Sequence, residues 1–260
     1  MLTDTLRKMK DDGVKRALGF VTSAYSSYSS CGQYRGDIAK ARSEVGPGAP
    51  EIDKIRLFYN HPEFIHANVE HVRDALAQLP ADQRGTAQIV FTAHSIPKSM
   101  AETCAYESHL MEASRLVAEA LDVGKWKLVY QSRSGPPSQP WLGPDVCDAL
   151  SELRKEGVKS VVISPIGFVS DHLEVLYDLD TEAKAVCEEL GLSMIRAATA
   201  STHPRCISMI RQLIEERLHD GVKREALGTH GSWPDGCKPS CCSPPKMRPR
   251  QSEPASGATQ

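Results

Sequence analysis

AQIVFTAHS (87–95) and, further along, VKSVVISPIGF (158–168) decide the fold class. Each carries an unbroken apolar run rich in β-branched residues, the pattern of a strand buried on both faces. Each also runs into polar groups, the first at His94-Ser95 and the second just before Ser170-Asp171-His172. Working outward, helical spacing of apolar residues predicts helices over 2–12, 34–45, 62–79, 105–121, 145–156, 171–190 and 203–219. Between them, 16–22, IDKIRLFYN (52–60), WKLVYQSRS (126–134) and 192–197 read as strands. Strands alternating with helices make an α/β protein with parallel sheet. Ligands in such sheets sit at the carboxyl ends of strands, which places His94 and the 170–172 turn in the candidate site.

The 260 residues are 40% hydrophobic and 25% charged with a formal net charge of −2. That composition is globular and gives no basic field for nucleic acid. No apolar run reaches bilayer length and no signal pattern opens the chain, so a cytoplasmic location is expected, with peripheral membrane contact left open. From about 226 the sequence turns polar and Pro-rich, and 226–260 is expected to be a disordered, Cys-containing tail. Cys31, Cys104, Cys147, Cys187 and Cys206 are scattered as small buried residues would be, whereas Cys237, Cys241 and Cys242 crowd together as metal-binding clusters do.

In SDHLEVLYDLDTE (170–182), Glu174, Asp178 and Glu182 recur every fourth residue, lining carboxylates along one helical face. Such a row is either a solvated acidic face or a path for a divalent cation. His94, held by the tight Ser95-Ile96-Pro97 exit, offers a neutral imidazole able to bind metal or accept a proton. His172 reads as a supporting partner. Gly135 and Gly143 in the loop 131–145 make no dinucleotide fingerprint, which leaves a nucleotide-binding α/β protein weakly supported.

FTAHSIP (91–97), YQSRSGPPSQPWLGPD (130–145) and PIGFVSDHLEVLYDLD (165–180) together resemble the signature stretches of ferrochelatases, and the similarity runs from about Leu2 to Leu218. The resemblance implies two Rossmann-like three-layer domains, chelatase-like: 1–96, completed by the helix near 203–219, and 97–202. It implies a lyase inserting ferrous iron into a porphyrin in haem biosynthesis, with His94 and Glu174 facing each other across the macrocycle. His172 then stands beside the catalytic glutamate, and Asp178 and Glu182 form a metal approach path. SAYSSYSSCGQYRGDIAKAR (23–42) is similar to the actinobacterial-type segment, where Tyr34 would contact the porphyrin and coproporphyrin III is favoured over protoporphyrin IX. Cys31 with Cys237, Cys241 and Cys242 would supply the four thiolates of a [2Fe–2S] cluster, though zinc accepts the same set.

The chain starts where members of that family are already inside their first domain, so the opening βα units are expected to be absent and a sheet edge exposed. Low stability and low activity follow as expectations. A truncated haem- or iron-binding remnant and a cobalt- or nickel-inserting relative are the other readings.

Overall fold

A computed structural model describes residues 1–237 and 241–244. In chain order the elements are α1 (Leu2–Asp11), β1 (Arg16–Gly19), a π-helical turn (Tyr28–Gly32), α2 (Gln33–Val45), β2 (Glu51–Lys54), α3 (Pro62–Gln78), α4 (Ala81–Arg84) and β3 (Gln88–His94). They continue with α5 (Lys98–Ala101), α6 (Tyr106–Ala120), β4 (Trp126–Gln131), α7 (Val146–Lys155), β5 (Ser160–Ser164) and α8 (Leu173–Val175). A second π-helical segment (Leu176–Ala183), α9 (Lys184–Leu190), β6 (Ser193–Arg196) and α10 (Pro204–Leu218) complete the series.

All strand pairs are parallel: β1 with β2 in one sheet, and β4-β3-β5-β6 in the other. The expected parallel α/β architecture is therefore present. The central strands β3 and β5 are the two apolar runs, buried along almost their whole length. β3 sits between β4 and β5, so residues 88–94 belong to the second sheet.

IDKIRLFYN forms a strand only as far as Lys54. Ile55 still donates its N–H to Gly19 O at 3.0 Å, and then Arg56 turns inward to a bidentate pair with Glu216 of α10, at 2.7 and 2.8 Å. The single long helix expected over 171–190 is instead α8, a π-helical segment and α9. Periodicity does not distinguish these, since four-residue spacing suits both winding patterns.

Residues 226–237 are an ordered strap, where a disordered tail was expected. Asn60 Nδ2 donates to Leu227 O and Gly231 O (3.1 and 2.9 Å), and Leu227 N–H returns to Asn60 O (2.9 Å). Thr229 N–H donates to Glu112 (3.1 Å), while Arg224 and Arg217 hold Asp235. A Cβ at Gly228 would meet Glu112 Oε1 at 1.9 Å, which fixes glycine at this crossing. The strap is polar because its anchors are backbone carbonyls satisfied by side chains of the core. Of the expected tail, 238–240 and 245–260 lie outside the described residues.

Two buried histidines make the fold acid-sensitive. His61 Nδ1 accepts from Glu63 N–H as the cap of α3, and burial, then the nearby Arg56, lowers its pKa to about 4. Burial lowers His109, stacked 3.8 Å from the Tyr59 ring, to about 3. Both bind a proton in the unfolded chain near pH 6.5 but not in the folded one. Their contribution is complete above about 6.5 and is lost as pH falls toward 4. His61→Asn, which keeps an acceptor for Glu63, is expected to flatten the fall in melting temperature between pH 7 and pH 5; an unchanged slope refutes this.

Candidate active site

A cavity of about 580 Å³ opens at the carboxyl end of β3. Its walls include Ser29, Ser30 and Tyr34 from the first π-helical turn and α2, Trp141 from the loop after β4, and Phe168 and His172 beyond β5. The PIGF turn closes on β3 through Gly167, whose N–H donates to Thr92 O at 3.0 Å. A side chain there would meet Ala93 Cβ at 2.5 Å, so only glycine permits this approach.

His94 is the last residue of β3, opposite Gln131 at the end of β4. Its Nδ1 shares a short hydrogen bond with Ser95 O. A carbonyl can only accept, so Nδ1 carries the proton in the neutral ring and Nε2 presents its lone pair. Nε2 lies 3.7 Å from Glu174 Oε1, with both side chains partly open to solvent. Two electron-rich atoms at that distance are suited to sharing a proton or a cation. Tyr106, buried, anchors the strand end by donating its hydroxyl to His94 O at 2.9 Å.

Glu174 lies in α8, which His172 precedes as its cap residue. His172 is held edge-on to Phe168, ring centroids 5.4 Å apart. Asp178 is fixed by Gln131 Nε2 (3.1 Å) and by a short bond from Ser132 Oγ, Ser132 standing in a left-handed conformation with φ 60°. Gln131 Oε1 is buried and has no hydrogen-bond partner among the described residues. Glu182 ends exposed on the π-helical segment, close enough to Cys147, with Asp145 also nearby, to help raise that thiol to about 11 after burial itself. Arg196 ties the turn to the helix through Asp171 (3.2 Å) and Asp180 (2.7 Å). Sequence reading named His94, His172, Glu174, Asp178 and Glu182; the structure adds Tyr106, Gln131, Ser132 and Arg196 as the side chains that hold them or their turn. Of these, Gln131 and Ser132 carried a signal, since they follow a strand whose end faces the His94 strand.

Behind the cleft wall the cysteines come together. Cys31 is buried in the first π-helical turn, capped by Ser27, whose side chain accepts from Ser30 N–H. The strap returns Cys242 against Gly32, where a Cβ would lie 2.5 Å from Cys242 O. Cys242 N–H donates to Thr103 O (3.1 Å), and its Sγ lies 3.5 Å from Cys241 Sγ. The Cys242 side chain nearby, and then the Lys54 ammonium, lower Cys31 to about 5 despite burial, while Cys242 is pushed up. Burial raises the pKa of the Cys237 thiol. Among the described residues no three His, Cys, Asp or Glu side chains are arrayed as a finished metal-ion site.

The ferrochelatase family model matches residues 1–218. The chain belongs to the ferrochelatase family. It is 52% identical over 247 residues to the ferrochelatase of Rhodopirellula baltica, covering 95% of this chain and 70% of that protein. To the coproporphyrin III ferrochelatase of Streptomyces coelicolor it is 46% identical over 270 residues, covering 95% and 72%. In shape this ferrochelatase-family chain is similar to the structure of SirB from Bacillus subtilis with Fe3+, at a TM-score of 0.60 and 10% identity, covering 86% and 81%. The sirohydrochlorin chelatase SirB of Bacillus subtilis subspecies spizizenii in complex with cobalt gives 0.53 at 10% identity, covering 86% and 80%. Those likenesses establish the chelatase fold. No helix among the described residues is long and apolar enough to cross a membrane.

Proposed function

We propose that this chain is a lyase that inserts ferrous iron into coproporphyrin III, with His94 and Glu174 as the reacting pair. The observation that carries this reading is the 3.7 Å approach of His94 Nε2 to Glu174 Oε1 at the mouth of the cavity. Insertion replaces two pyrrole N–H protons by one Fe²⁺, so the site must accept two protons and release a metal from its water shell. An imidazole lone pair and a carboxylate divide those tasks. A porphyrin is an aromatic sheet that needs roughly 3.5 Å of clearance on each face, so the pair must separate to admit it. Glu174, half exposed and without any other hydrogen-bond partner among the described residues, is the member free to swing. Asp178, fixed by Ser132 and Gln131, and Glu182 beyond it support a metal path along the π-helical segment. His172, beside Phe168, orients the Glu174 turn.

Coproporphyrin III carries more carboxylates than protoporphyrin IX, and Ser29 and Tyr34 offer hydroxyls in the cavity wall. The names of several relatives support the same choice. An anaerobic assay decides: iron insertion into coproporphyrin III should exceed that into protoporphyrin IX. A preference for cobalt or nickel, or porphyrin binding with no turnover, overturns the reading.

The thiols of Cys31, Cys237, Cys241 and Cys242 support a [2Fe–2S] cluster. Two thiolates on one tetrahedral metal, with bonds of about 2.3 Å, stand about 3.8 Å apart, near the 3.5 Å between Cys241 and Cys242. Such a cluster would supply one-electron chemistry, and Cys31, Cys237, Cys241 and Cys242 would be the residues to hold it. Cys241→Ser is expected to bleach the visible absorption of protein purified with iron and sulfide. An unchanged spectrum removes Cys241 from the ligand set, and bound zinc without sulfide replaces the cluster by a zinc site.

A further inference from the structure

We propose that Gln131 and Ser132 are positioning residues for ferrous iron; this rests on the iron-insertion reading above. They grip one oxygen of Asp178 with uncharged donors, which leaves the second oxygen and the full negative charge to the metal. Residues 170–182 carry five carboxylates, Asp171, Glu174, Asp178, Asp180 and Glu182. Their surroundings differ. Arg196 takes Asp171 and Asp180 as ion pairs, at 3.2 and 2.7 Å, so those two charges are offset where they stand. Asp178 pairs with no lysine or arginine among the described residues; its partners are the Gln131 amide, donating through Nε2 at 3.1 Å, and the Ser132 hydroxyl. Both donate to the same atom, Oδ2, and Oδ1 has no hydrogen-bond partner among the described residues.

The grip is built on the strand end that holds the imidazole. Gln131 is buried at the end of β4, in register with His94 of β3. Ser132 follows with φ 60°, a left-handed conformation that serine rarely adopts, and its hydroxyl meets the oxygen that Gln131 already holds. Asp178 in turn shares the walls of an open depression with Glu174 and His172. An uncharged donor orients a carboxylate without cancelling its field, whereas a cation in the same place would do both. A carboxylate with one oxygen occupied offers a metal a single bond rather than a two-oxygen chelate. Iron held by one bond can pass on to Glu174, as a place of transit requires.

The test uses the full chain in anaerobic turnover with ferrous iron and coproporphyrin III, each varied separately. Ser132→Gly suits the left-handed backbone and removes only the hydroxyl. It is expected to raise KM for iron about tenfold, the worth of one hydrogen bond to a charged group, with kcat changed less than about threefold and KM for porphyrin unchanged. Gln131→Met, of similar size but without a donor, should repeat the iron effect and serves if the glycine variant does not fold. Ser132→Lys, which brings a cation to Asp178, should raise KM for iron at least as far. In an Asp178→Asn background, Ser132→Gly should add nothing. Equal KM for iron in wild type and in both Ser132→Gly and Gln131→Met, with insertion intact, overturns the positioning role and leaves the function standing. A rise that persists without the Asp178 carboxylate, or a loss confined to kcat or to porphyrin KM, makes these residues structural and overturns it too. Ser132→Lys with wild-type KM for iron overturns the need for uncharged donors. Wild-type protein that inserts no iron overturns both readings.

Discussion

Glu174→Gln is expected to reduce the rate of iron insertion by roughly two to four orders of magnitude, the usual worth of a positioned proton-transfer group. Gln keeps the size and hydrogen-bonding reach of the side chain but loses the negative charge and the ability to take a proton. The fold should survive, because the side chain is 49% exposed and among the described residues approaches only the His94 edge; surface changes of this kind alter stability by about 0.5 kcal/mol or less. His94→Ala should fall by a similar factor. The double variant should lose little more than either single one, since a pair acting on one substrate is not additive. Turnover under anaerobic ferrous iron, with porphyrin binding measured separately by fluorescence quenching, checks this. Near-normal turnover in either variant removes it from the reacting pair, and a loss confined to binding makes it a substrate contact.

Glu216→Ala is expected to be the most destabilising single change of a charged residue. The Arg56 and Glu216 side chains are 1% and 4% exposed. Arg56 also donates to Glu225 O at the entry to the strap (2.9 Å), and Glu216 draws Arg224 to 3.7 Å. Removing the carboxylate leaves a buried guanidinium unpaired, at about 3–5 kcal/mol. For a chain of this size that is a fall of order 10 °C in melting temperature. Replacing both partners by apolar residues, Arg56→Met with Glu216→Leu, should recover much of the loss. A Glu216→Ala protein that melts with wild type would show that the pair is open to water. Because the pair also grips the strap, the destabilised variant should expose Cys237 and Cys241 to thiol reagents sooner than the core unfolds.

β3 and β5 were legible in the sequence because a strand buried on both faces has to be apolar throughout, and nothing else in the chain shows that run. His94 and Glu174 were legible as positions because both follow such strands. Their pairing was not, since it depends on Tyr106 pinning the end of β3 and on Gly167 letting the following turn close. The strap was misread for a related reason. Its composition matches a disordered tail, but Asn60, Arg56 and Glu112 satisfy its backbone from more than a hundred residues away, and long-range partners leave no local pattern. The π-helical winding of 176–183 was likewise hidden, since the carboxylate spacing fits either winding.

The contact between Cys31 and the strap also has a mechanical side. Cys31 and Cys242 stand more than two hundred positions apart along the chain, so a metal bound by both, as proposed above, would tie nearly the whole described polypeptide into one closed loop. Restricting a loop that long removes about 5 kcal/mol of freedom from the unfolded ensemble by chain-entropy reckoning. Loading the centre would thus act as a rivet, and chelation would be felt first as a loss of thermal endurance far from the cysteines, in sheets that never touch the metal.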